Sequence, residues 1–122
     1  MEKSCFKKTV IRKFCSLSLT KQLKANKITV VTPAGIISGK VAIDYNDEKD
    51  LTVDNLIFKY SYEFISEYRK DHGFKESESL PGNDGFICLS DVSIITGNQT
   101  TKLPSLIVFF DQIIAVTISD IQ

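Results

Sequence analysis

Residues 28–46 read "ITVVTPAGIISGKVAIDYN", and the two glycines in this stretch decide the reading of the fold. Two β-prone runs, 27–32 and 36–43, flank Pro33-Ala34-Gly35. Proline presets one turn angle and glycine accepts the positive φ of a tight reversal, so the break predicts a hairpin. Gly39, inside the second run, predicts a bulge or sharp bend, the device by which a small sheet curls over. Asp44-Tyr45-Asn46 then opens a polar, acidic connection over 44–54.

Downstream, the pattern turns strongly β in the last third. "FICLSDVSIIT" (86–96) leads through a polar turn, 97–104, into "SLIVFF" (105–110), then Asp111-Gln112, then "IIAVTI" (113–118). Isoleucine, valine, phenylalanine and threonine dominate these runs, as pleated surfaces favour. The last two strands are apolar at consecutive positions, so both of their faces need cover. Between the β regions, Asp54 reads as a helix N-cap and Gly73 as the residue past a helix end. Arg69, Lys70 and His72 stand in the last turn. Those caps predict a helix that brings Ile57, Phe64, Ile65 and Tyr68 near one face. Phe58, Tyr60, Tyr62 and Phe64 alternate, however, and would also suit a strand. Residues 75–85 read as a loop.

Upstream, residues 3–24 read as a helix with Phe6, Val10, Phe14 and Leu17 forming one apolar stripe. "SLSLT" (16–20) alternates, so that helix is expected to stop early. The economical arrangement is mainly β with α: five short strands in a strongly bent antiparallel sheet, a partly open barrel capped by the N-terminal helix. At 122 residues the chain has the length of a single domain.

Composition narrows the function classes. Hydrophobic residues at 43% and charged residues at 25% describe an ordinary globular chain. No apolar run has the length of a membrane helix, and lysines and Arg12 interrupt the first apolar stretch, so no membrane partner and a cytoplasmic location are expected. Three cysteines, Cys5, Cys15 and Cys88, are an odd count without close pairing, which points away from a disulfide framework or zinc site and toward small hydrophobes in a reducing compartment. Charge is uneven: +8 over residues 1–43, −6 over 44–85 and −2 over 86–122. That asymmetry suits a basic face for nucleic acid, or a basic helix neutralised by the acidic middle.

The helix followed by five strands resembles the Sm/LSm family, the fold shared by Hfq. The stretch around Gly35, Gly39, Asp44 and Asn46 is similar to the family's first motif, and "LIVFFDQIIAVTI" (106–118) to its second, with "FICLSDVSII" as the middle strand. The two glycines are closer than is usual, Asp44 and Asn46 are separated by a single residue, and Asp111-Gln112 stands where the family has Arg-Gly or Lys-His. Residues 44–85, including the predicted helix, form a long insertion in place of a short loop. The resemblance implies a homo-oligomeric ring in which the fourth strand of one subunit pairs with the fifth of the next.

The resemblance also implies where RNA would bind. Bases would stack near Tyr45, with Asn46 and Gln112 as amide contacts, and Lys7, Lys8, Arg12 and Lys13 would meet phosphates. The acidic residues crowding Tyr45 oppose this, and Asp-Tyr-Asn equally reads as a turn. No catalytic residue, metal site or cofactor is expected: the histidine, His72, sits at a predicted helix end, and the cysteines lie in apolar surroundings. The expected function is therefore non-enzymatic: a ring-forming interaction or scaffolding module whose 44–85 insertion meets a protein partner, or alternatively an RNA-binding ring.

Overall fold

A computed structural model describes residues 5–23, 26–42, 53–75 and 79–119. Its elements run α1 (Phe6–Leu17), β1 (Lys27–Thr32), β2 (Gly35–Val41), α2 (Val53–Asp71), β3 (Phe86–Thr96), β4 (Gln99–Phe109), a 3-10 turn (Phe110–Gln112) and β5 (Ala115–Ser119). All neighbouring strands are antiparallel, in the order β4-β3-β2-β1-β5. The sheet is open, not closed into the expected barrel, and β4 and β5 are its edges.

The hairpin of the opening stretch forms with Thr32 opposite Gly35. Gly35 has φ +148°, and a Cβ there would come within 2.5 Å of the Ile95 carbonyl oxygen, so no side chain fits. Gly39 acts by closeness: an added Cβ would lie 3.1 Å from Leu89 Cβ and 3.1 Å from the Ser90 oxygen. At this point the β2–β3 register slips between Ser38/Lys40 and Ser93/Ser90, so β3 holds an extra residue. Asp91 sits in that bulge with φ +51°, a left-handed conformation that aspartate tolerates better than most residues. The bulge explains the core pattern. Ile87 and Leu89 bury on alternate positions, and beyond the bulge the inward parity passes to Val92 and Ile94. Facing pairs then line one side of the sheet: Ile28 with Ile118, Val30 with Ile37, Leu89 with Leu106, Ile87 with Val108.

That face is closed by Ile11 of α1 with Phe110 and Ile113, all at most 4% exposed. The stripe Phe6-Val10-Phe14-Leu17 is thus not the buried face of α1. Phe6 is 83% exposed and Leu17 47% exposed, because the helix lies on the β5 end of the sheet through the next row around, Lys8-Ile11-Cys15. The helix stops at Leu17, and Ser18 closes it by donating its hydroxyl to the Cys15 carbonyl (2.7 Å).

Residues 56–68 are helical, in agreement with the caps rather than the alternation. Gly73 follows the end of α2 at φ +77°, while the helix starts at Val53, one residue before the expected cap Asp54. Its buried row is Phe58 and Ser61 with Ile65 half-buried, displacing the expected Ile57, Phe64 and Tyr68, which are exposed. The expected turn over 97–104 is a second departure. Only Gly97-Asn98 turns, and Gln99–Lys102 continue β4 against Thr96–Ser93. Cross-strand hydrogen bonding holds these polar residues in a strand that their side chains alone did not announce. Pro104 sits in β4, where an edge strand accommodates the missing N–H.

Candidate functional site

Two surfaces stand out, and both follow from the open sheet. An edge strand presents unpaired backbone donors and acceptors, and natural proteins usually blunt or cover it. Beside β5, Phe6 (83% exposed) and Ile114 (64% exposed) flank an apolar groove of about 250 Å³ that Val10, Ile113 and Val116 help to line. At the end of β4, Phe109 is 56% exposed and meets Phe86 edge-on at 5.8 Å between ring centres. On the outer sheet face, Ala115, Val31, Ile36 and Ile95 stand opposite one another in adjacent strands, all exposed. The next row is polar: Thr29 exchanges hydroxyl hydrogen bonds with Ser38 (2.9 Å) and Ser119 (2.8 Å), and Lys102 Nζ donates to Ser93 (3.3 Å). Lys27 reaches across this face to Asp91, 3.3 Å away two strands over.

The residues that the RNA reading names are scattered. Tyr45 and Asn46 lie outside the described residues. Gln112 is exposed on the 3-10 turn, next to exposed Asp111. Arg12 and Lys13 are exposed on α1, with Arg12 Nη1 donating to Ser79 Oγ (2.9 Å). Lys7 is half-buried beside the β5 groove. Lys8 is not on the surface at all. It is 3% exposed, and its ammonium donates to the carbonyls of Leu80 (2.7 Å) and Asp84 (2.6 Å) and lies 5.4 Å from the Phe110 ring centre. A run of lysines on an amphipathic helix reads as solvated charge. That one of them turns inward is set by the loop carbonyls opposite, which only the tertiary fold brings there.

Lys8 opens into a cavity of about 290 Å³ between α1, α2 and the start of β3. Burial and the neighbouring Arg12 and Arg69 lower its pKa, with Asp84 pulling the other way. Two thiols, Cys15 and Cys88, line this cavity. Burial pushes Cys15 and Cys88 up to about 11, so both are protonated at neutral pH. Cys5 caps α1, its sulfur accepting from the Lys8 amide (3.5 Å) and its thiol donating to Asn83. His72 is exposed, bonded through Nδ1 to the Tyr68 carbonyl (3.0 Å) and stacked on the Tyr68 ring at 4.2 Å.

No protein-family model matches the chain, and no curated protein or solved structure is significantly similar to it.

Proposed function

We propose that the chain is a non-enzymatic, Sm-like assembly module that forms a homo-oligomeric ring by pairing β4 of one copy with β5 of the next. The observation that carries this is the open sheet whose two edges are the fourth and fifth strands, each flanked by exposed apolar side chains. Burying Phe6 and Ile114 against a second copy removes apolar surface from water, while edge pairing satisfies the backbone groups that both edges leave open. The order of elements, α1 and then five strands with α2 inserted between β2 and β3 and with β4 and β5 outermost, supports the reading by resemblance to the Sm/LSm family. A scaffold role accords with α2, where Tyr60 (49% exposed) and Phe64 (62% exposed) offer aromatic surface to another protein.

Light scattering on the purified chain tests the reading. The expected result is a single multiple of the 13.7 kDa subunit mass, lost when Phe6→Asp and Ile114→Asp are introduced together. A monomeric mass at micromolar concentration overturns it. So does an oligomer that the double variant leaves intact.

A further inference from the structure

The cavity beside Lys8 has the composition of an anion site. Lys8 and Arg12 enter it from successive turns of α1, and Arg69 enters from α2. Asp84 supplies the one carboxylate among the described lining residues, so the walls carry a net charge of +2. The three cations also keep hydrogen-bonding capacity in reserve. Lys8 uses two of its three ammonium protons on the Leu80 and Asp84 carbonyls. Arg12 donates one of its guanidinium N–H groups to Ser79. Arg69 Nε is buried and finds no hydrogen-bond partner among the described residues. A buried donor without an acceptor is costly, and so is a buried ammonium beside like charges, unless an anion completes the site.

A second cavity of about 330 Å³ shares Ile65, Leu80, Asp84, Gly85 and Phe86 with the first. It is lined further by the rings of Phe64, Tyr68 and Phe109 and by Asp111, and no lysine or arginine is among its described lining residues. Asp111, with no cation beside it, disfavours an anion at this end, whereas the aromatic rings suit the organic part of a ligand. The pair therefore sorts a ligand by polarity: negative end toward α1, apolar end toward Phe109. A phosphate monoester carries nearly two negative charges at neutral pH and three acceptor oxygens, which matches the charge and the donors available.

We propose that these adjacent cavities bind a small phosphate monoester, its phosphate among Lys8, Arg12 and Arg69 and its organic group along Phe86. The site lies within one copy of the chain and stands independently of ring formation. Bound phosphate would offset the desolvation and like-charge repulsion that disfavour the charged form of Lys8.

Calorimetric titration of the purified chain with phenyl phosphate, inorganic phosphate, benzoate and phenol tests the proposal. Phenyl phosphate is expected to bind saturably and more tightly than inorganic phosphate, with benzoate and phenol weaker than either. Affinity for phenyl phosphate should fall by roughly tenfold or more in Arg12→Gln and again in Arg69→Gln, as the loss of a charge-assisted hydrogen bond implies. It should also fall from pH 7 to pH 5 as the ligand loses its second charge near pH 6. Arg12 is exposed, so Arg12→Gln keeps the test meaningful should Arg69→Gln fail to fold. Absence of saturable binding by phenyl phosphate overturns the site. So does binding that Arg12→Gln leaves unchanged in a folded variant, or binding that benzoate matches.

Discussion

Asp91 concentrates at one residue the register shift between β2 and β3. It occupies the left-handed region at φ +51°, on the strand that carries the extra residue opposite Gly39. Its ion pair with Lys27 is two-thirds exposed on the carboxylate side and contributes little, so backbone conformation is the larger effect. Asp91→Ala is expected to cost about 1–2 kcal/mol and Asp91→Gly markedly less, read from urea midpoints. If the glycine variant loses as much as the alanine, the ion pair and not the conformation matters. The buried thiols give a second prediction at this scale. With pKa values near 11, Cys15 and Cys88 hold roughly a thousandth of their population as thiolate at pH 8 and should resist iodoacetamide while the fold is intact. The sign of the pH effect follows from linkage. Between the unperturbed value of 9.0 and about 11, the unfolded chain has released thiol protons that the folded chain retains, so stability falls as pH rises. A variant with Cys15→Ala and Cys88→Ala should show a shallower alkaline decline in urea midpoint.

Among the elements, α1 separates pattern from packing most clearly. Phe6, Val10, Phe14 and Leu17 share a helical stripe, yet Ile11 and the stem of Lys8 are what the fold buries. Which side of an amphipathic helix faces inward depends on what it meets, and here the sheet and the 80–84 loop meet the adjacent row. Ile11→Ala is therefore expected to cost about 2–5 kcal/mol, and Phe6→Ala at high dilution within about 0.5 kcal/mol, by urea denaturation. Equal costs would restore the stripe to the core. The same lesson applies to α2, where the caps Arg69, Lys70 and Gly73 marked the helix but Phe58 and Ser61 were not marked as its buried row. In β4, Gln99–Lys102 lacked any apolar signal, since all four are exposed and owe their strand to pairing with β3.

At the scale of the whole molecule, the open edges set the expectation of assembly. Head-to-tail pairing of β4 with β5 is heterologous, so it closes into a ring only where the rotation between copies divides a full turn. Native mass spectrometry is expected to give one stoichiometry that persists on tenfold dilution; a concentration-dependent ladder of masses would indicate open filaments instead. Legible from the residues alone were the hairpin at Pro33-Ala34-Gly35, the helix before Gly73 and the β-rich last third, whereas the irregularity expected at Gly39 places its extra residue across from it, in β3. Each of these rests on local chemistry: a fixed φ, a cap, a run of β-branched residues. Long-range packing sets the rest: the sheet stays open with β4 and β5 outermost, Lys8 turns inward, and Arg69 joins Lys8 and Arg12 around one cavity. Those outcomes depend on contacts between residues some sixty to eighty positions apart, such as Lys8 with Leu80 and Asp84 and Arg12 with Ser79, and no local pattern encodes which partner a long side chain will meet.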